Sequence, residues 1–216
     1  MFKIEKLDFL ISFYIVCVTL SEVMGAKTFP IATFGTFTLN ATVAIFVLPI
    51  LYSINDIIIE VYGKEKAKSI VRSSLLIIFF IFLFSLLATS LPASKRFLST
   101  EGAYDTIFGL SARFSAASLI AFIVSEFADI AIFSKLREKL GKTKLWLRTN
   151  ASNFISEFLD VAVFMILAFY AFDQSLASNL SFIASIALPY YLLRCVMSIL
   201  ETPLVYLGVK WLKKSK

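Results

Sequence analysis

Eight carboxylates stand within, or at the ends of, strongly apolar stretches of this chain: Glu22, Asp56, Glu60, Glu126, Asp129, Glu157, Asp160 and Glu201. Only two basic residues, Arg113 and Arg194, share those stretches. A charged side chain at the centre of a bilayer costs about 2.5–3.5 kcal/mol on insertion scales. So many carboxylates cannot all be both buried and ionised. Some carry a proton, some reach water through a cavity, and some face a cationic or donor-rich ligand. This is the electrostatic profile of a path for a cation, a proton or an amidine-like solute. Ion pairing between helices is the competing account. Arg194 has Asp160 or Glu201 as its best partner, but two arginines do not absorb eight acids.

The spacing of these residues puts them on faces. Asp56 and Glu60 are four apart and share one side of a helix. Asn150, Asn153, Glu157 and Asp160 fall at i, i+3, i+7 and i+10, one narrow stripe. Tyr190, Arg194 and Glu201 fall at i, i+4 and i+11, again one face. Two nine-residue stretches resemble each other: SEFADIAIF from Ser125 to Phe133 and SEFLDVAVF from Ser156 to Phe164. Each sets Glu and Asp three apart, and on successive helices of opposite direction the two would meet as a pseudo-symmetric pair.

Other chemistries find little support. The chain has no histidine and two cysteines, Cys17 and Cys195, each in an apolar run. A zinc, haem or iron–sulfur centre is therefore not expected, and no cofactor or metal site is predicted. No nucleophile–base pair or phosphate-binding loop is present, so the chain does not read as an enzyme. The net charge of +6 is not a nucleic-acid signal, because the basic residues gather in loops.

The elements that must position the acids are membrane helices. Of 216 residues, 59% are hydrophobic and 23 are Phe, and the mean hydropathy is +0.85. This predicts an all-α, polytopic membrane protein: one transmembrane domain over 1–216, a bundle of six helices at about 7–25, 39–62, 69–91, 111–133, 149–172 and 186–209. The first apolar run lacks a small-residue cleavage site and reads as a retained helix. Pro49 should kink the second helix. The third, uncharged from Ser73 to Leu91, should be lipid-facing scaffold. Gly102 and Gly109 read as breakers in a loop from Pro92 to Leu110.

Charge orients the bundle. With the N-terminus, the second and fourth connections and the C-terminus on one side, that side holds 16 of the 21 Lys and Arg; the other holds Lys27, Lys95 and Arg96. The asymmetry puts both termini in the cytoplasm. In depth, Asp56, Glu126 and Asp129 then fall in the cytoplasmic half, Asp160 near the midplane, and Glu22 and Arg113 near the outer end.

Separated motifs in this frame carry a resemblance. Asp56, Glu60, Tyr62 and Gly63 form D-x-x-x-E-x-Y-G, followed by the basic stretch KEKAKSIVR. Leu145-Trp146-Leu147-Arg148, then Ser156 and Asp160, lead into the fifth helix. Arg194 and Glu201-Thr202-Pro203 mark the last. In this order, over nearly the full length, they resemble the queuosine-precursor transporter family, also called the vitamin uptake transporter family. The resemblance implies an inner-membrane importer of 7-deazaguanine bases for tRNA modification, such as 7-cyano-7-deazaguanine, the aminomethyl base or queuine. It implies no nucleic-acid partner, and oligomeric state stays open.

Such a base presents an N–H and an exocyclic amine side by side, which one carboxylate can accept together. Asp160 and Asp56 are the leading candidates. The wider set is Glu60, Glu126, Asp129, Asn153, Glu157, Tyr190, Arg194 and Glu201, with Tyr52, Tyr190 and Phe158 available for stacking. The chain departs from the family pattern at Glu22, Glu126 and Glu157, where an amide is expected; Glu201 replaces Asp and Arg194 replaces Lys. The extra acids favour a base carrying an ammonium over the neutral cyano base. The alternative function is the substrate-binding subunit of an ATP-driven (energy-coupling factor) vitamin transporter. Such subunits dock through A-x-x-x-A patterns, and the first helix has no Ala between Leu7 and Gly25.

Overall fold

The computed structural model describes the backbone of residues 5–140 and 145–213; the side chains at 64, 126, 129, 130, 133, 134, 137, 139, 140, 145–154 and 194–204 are not among those described. The chain is mostly helical. Its α-helices are α1 (Lys6–Met24), α2 (Leu48–Tyr62), α3 (Lys64–Ser90), α4 (Leu98–Leu140), α5 (Leu145–Phe169) and α6 (Leu176–Lys213). Between α1 and α2 lie two strands, β1 (Thr28–Phe34) and β2 (Phe37–Thr42), and a 3-10 turn at Val43–Phe46. By length and composition, four stretches among the described residues could cross a membrane: Lys6–Met24, Glu65–Ser90, Leu98–Ser125 and Leu176–Leu193.

The hairpin is the main departure from an all-α reading. Residues 39–47, expected to open the second helix, are the second strand and the 3-10 turn. The strands are antiparallel and joined by the two-residue turn Gly35-Thr36, with Phe34 opposite Phe37. Gly35 takes φ +60°, the conformation that a type II′ turn needs at its first central residue. Threonines and phenylalanines fill the pleat, as suits a half-buried sheet surface. Pro49 does not kink a helix. It stands at the start of α2, where its missing N–H costs nothing.

Other boundaries moved outward. Helix α4 begins at Leu98, so Gly102 and Gly109 are helical residues rather than breakers. A lone glycine costs a helix only about 1 kcal/mol against Ala, which 43 residues of helix easily absorb. Helix α6 begins at Leu176 rather than near residue 186, and α5 ends at Phe169. Asn179 makes that corner: its side chain donates to Ala171 O and accepts from Ala171 N, both at 2.8 Å.

Helix lengths set the internal level of everything else. Helices α2 and α3 leave Gly63 in opposite senses, with 15 and 27 residues. At about 1.5 Å per residue, α2 stops roughly 18 Å short of the far end of α3. Its first turn, Leu48 and Leu51, packs on Ile78 in the middle of α3 and on Cys17 and Val18 of α1. The hairpin is tied to α6 by Asn40 Nδ2 donating to Ser185 Oγ at 2.8 Å. Non-helical backbone at membrane depth survives only where it is buried in protein or lines a cavity.

Toward the Gly63 end, Leu10, Ile54, Ile57, Ile58, Ala67, Ile70, Val209 and Leu212 form one core across α1, α2, α3 and α6. Lys6 there donates to Trp211 O and lies over the Trp211 ring, so the two ends of the described chain meet on one side. The outward face of α3, with Leu76, Phe80, Leu83, Phe84 and Leu87, is exposed and apolar, as a scaffold against lipid should be. A Cβ on Gly208 would collide with Ile57 Cδ1 and come within 2.8 Å of its Cγ1. Gly208→Ala should therefore lower stability by about 1–3 kcal/mol, read as a lower unfolding midpoint. Ile57→Val, which deletes that δ-methyl, should restore part of the loss. An unchanged midpoint in Gly208→Ala would refute this α2–α6 packing.

Candidate functional site

Helices α1 and α4 approach closely because α4 presents small residues to α1. Ser111, Ser115 and Ser118 recur at helical spacing. Ala117 and Ala121, each 1% exposed, fill the neighbouring positions. Ser111 Oγ donates to Val23 O at 3.0 Å. Ser118 Oγ donates to Glu22 Oε1 at 2.8 Å. The face of α1 that carries Leu10, Cys17, Val18 and Glu22 is buried, and the stripe Phe9, Phe13, Val16, Leu20 and Met24 is exposed. Glu22 is only 7% exposed. Among the described residues its Oε2 is buried without a hydrogen-bond partner.

Glu22 lines a cavity of about 240 Å³ where the short helices end. Helix α1 contributes Tyr14, Val18, Ser21 and Glu22, and the hairpin base and α2 contribute Thr42, Ala44, Leu48 and Leu51. Helix α3 adds Val71, Ser74, Leu75 and Ile78, and α4 adds Phe114, Ser118, Ala121 and Phe122. Asp160, Val161 and Phe164 of α5 and Tyr190 of α6 complete it. The wall is apolar and aromatic with a few polar groups, the general make-up of a small-molecule site. Among the described residues that line it are two carboxylates, Glu22 and Asp160, and no Lys or Arg. What such a wall can do is accept hydrogen bonds and offer aromatic faces to a flat ligand.

Asp160 reaches the cavity through the paired stretches of α4 and α5. These helices run antiparallel, and Ser125 Oγ lies 3.4 Å from Asp160 Oδ1. That contact joins the serine of one SEF stretch to the aspartate of the other, so the two stretches do meet. The pseudo-symmetric counterpart would join Ser156 to Asp129, whose side chain is outside the described residues.

The remaining candidates divide. Tyr190 lines the cavity with Asp160. Asp56 and Glu60 share one face of α2, as their spacing requires, but it is the exposed face, opposite Leu51, Ile54 and Ile58. Neither lines this cavity, and nor does Glu157, half-buried on α5. Phe158 is 57% exposed, and Tyr52 packs in the core beside Leu48 and Leu51. Glu126, Asp129, Asn153, Arg194 and Glu201 lie on α4, α5 and α6, with side chains outside the described residues. The proposed pairing of Arg194 with Asp160 or Glu201 falls outside them too. Sequence reasoning passed over Tyr14, Thr42, Ser74 and Ser118 as site residues. The signal for Ser118 was available in the Ser111, Ser115, Ser118 spacing on one helix face.

Arg113 has a different task from the one its isolation suggested. Its Nε donates to Leu167 O at 2.8 Å and its Nη2 to Tyr170 O at 2.6 Å. It thus covers the last carbonyls of α5, where a cation also meets the negative end of the helix dipole. Both Arg113→Lys and Arg113→Gln should lower the unfolding midpoint, because only the guanidinium fork reaches both carbonyls. Each charge-assisted bond is worth about 1.5–3 kcal/mol. If Lys preserves wild-type stability, Arg113 acts as a plain counter-charge and not as this cap.

Comparison with known proteins bears on the same region. The family model described as "Putative vitamin uptake transporter" matches residues 42–208. A Bacillus subtilis (strain 168) protein described as "Probable queuosine precursor transporter" is 29% identical over 184 residues, covering 83% of this chain and 76% of the relative. A Haemophilus influenzae (strain ATCC 51907 / DSM 11121 / KW20 / Rd) protein with the same description is 26% identical over 135 residues, covering 62% of this chain and 54% of the relative. No solved structure matches the chain.

Proposed function

This chain belongs to the vitamin uptake transporter family, a family of membrane transporters, and we propose that it imports 7-deazaguanine precursors of queuosine through the cavity between α1 and α5. The observation that carries the reading is that cavity: about 240 Å³, with two carboxylates, aromatic walls and no basic residue among the described residues that line it. The volume lies just below the 300–1,000 Å³ of drug-sized sites, which suits a free bicyclic base better than a nucleoside. The names of the relatives support the substrate class.

In this reading Asp160 accepts N–H groups of the base, and Tyr190 and Phe164 bracket its faces. Asp56, Glu60, Glu126, Asp129, Asn153, Glu157, Arg194 and Glu201 serve the rest of the path, on the cytoplasmic side of the cavity. The extra acids at Glu22, Glu126 and Glu157 make the path more negative, which favours a base bearing an ammonium, the aminomethyl form or queuine. The whole chain acts as one transmembrane domain of six spans in the cell inner membrane, with both termini in the cytoplasm. Sixteen of the 21 Lys and Arg on one side support that orientation. The meeting of Lys6 with Trp211 supports an even number of crossings.

Uptake of labelled queuine and aminomethyl base, in cells lacking their own importer and any coupling ATPase, tests the function. The wild-type chain should restore uptake. Asp160→Asn should reduce it about ten- to a hundredfold at unchanged expression, the size of one lost charge-assisted hydrogen bond. Wild-type uptake by Asp160→Asn would remove that residue from the site, and no uptake by the wild type would remove the substrate. A reporter that works only outside the membrane should be silent when fused after Lys216. Activity there would overturn the topology.

A further inference from the structure

We infer that Glu22 is the residue that distinguishes substrates by their donor edge, accepting an N–H and an adjacent exocyclic amine of a guanine-type base. The inference rests on the substrate reading above and assigns a role to a residue outside the 42–208 region that the family model matches. Three observations carry it. Glu22 lines the cavity. It is 7% exposed, and its Oε2 is buried with no hydrogen-bond partner among the described residues. Its other oxygen is fixed by Ser118 at 2.8 Å, so the carboxylate plane is already oriented on α4.

A carboxylate has about four lone-pair sites; Ser118 takes one, and with the neighbouring Ser115 hydroxyl on a second, two remain. The free acceptors match a ligand that brings two parallel donors, the arrangement in which a planar N–H/NH₂ edge meets both oxygens. Among the described residues that line the cavity, no Lys or Arg competes for them. Arg113, on the same helix as Ser118, is turned to the end of α5 instead. Nor is Glu22 a surface acid of the lipid face, since it sits on the side of α1 opposite Phe13, Val16 and Leu20. Asp160 lines another wall of the cavity, on the pyrrole side of a base so placed. A site built to hydrogen-bond a donor rejects an analogue without it, because its own polar groups are left buried and unpaired.

The test is binding to the purified full-length protein in lipid nanodiscs. The probes are 7-aminomethyl-7-deazaguanine and the analogue lacking only its 2-amino group. Wild type should prefer the aminated base by about ten- to a hundredfold. Glu22→Gln is isosteric and keeps an acceptor for Ser118, but it replaces one acceptor by a donor. It should bind the aminated base more weakly and discriminate by less than about threefold, with the des-amino affinity little changed. Discrimination retained in Glu22→Gln overturns the inference while leaving the substrate reading intact. Failure of the wild type to bind either base overturns both. If Glu22→Gln does not fold, Ser118→Ala carries the test. Loss of the orienting hydroxyl should cut discrimination about two- to tenfold, and full discrimination in that variant overturns the inference.

Discussion

A carboxylate shut between two apolar helices persists only where some other group answers its charge and its lone pairs. Glu22 makes that demand on this protein. Ser118 answers one oxygen, and among the described residues that line the cavity no basic one answers the other. A buried ion pair would have solved the problem at some cost in desolvation. Arg113 stands on the facing helix only five residues from Ser118, yet it is spent on the carbonyls that end α5. The demand is therefore left for whatever enters the cavity, and an unpaired polar group in a dry wall is a strong selector of what may enter.

The cavity exists because two helices are short. Helix α2 begins only at Leu48, packed on Ile78 in the middle of α3, while α1 passes that level at Cys17 and Val18 and ends about two turns on at Met24; a hairpin rather than more helix joins the two. The strands pair with each other, and the sheet is tied to α6 through Asn40 and Ser185. Transporters place substrate sites at such interruptions, where chain ends and side chains from several elements converge. Here the convergence brings Glu22 of α1, Thr42 of the hairpin, Ser74 of α3, Asp160 of α5 and Tyr190 of α6 to one space. The long helices supply the rigid part: α3 and α4 pack side by side over most of the length of α3, and α5 returns along α4 with Ser125 against Asp160.

What the sequence disclosed followed the strength of each signal. Apolar runs of twenty residues or more gave the membrane class and most helix cores. The repeat of SEF stretches gave the antiparallel meeting of α4 and α5. The hairpin was missed because Leu39 to Leu51 is almost unbroken in hydrophobicity, and a short apolar run reads equally well as helix or strand. The better cue was Phe34-Gly35-Thr36-Phe37, a two-residue turn between runs rich in Thr and Phe. Asp56 and Glu60 were correctly put on one face, but spacing alone does not say whether that face looks inward. The inward face of α1 was equally hidden, since that helix is apolar all round; only the tertiary contact with Ser118 singles out Glu22. Where Glu126, Asp129, Asn153, Arg194 and Glu201 point is a matter the described side chains do not reach.

The claim on which these links depend is that this cavity is the place a substrate occupies. Ala121 lines it together with Glu22 and is 1% exposed. The most direct measurement is the rate at which a small, water-soluble thiol reagent modifies Ala121→Cys in a background with Cys17 and Cys195 replaced by Ser or Ala, with and without a transported 7-deazaguanine base. The account predicts that the cysteine is modified in the transport-active protein and that the base slows modification in proportion to its occupancy. Modification at one unchanged rate while the base is being transported would show that the substrate travels elsewhere, and would contradict the account.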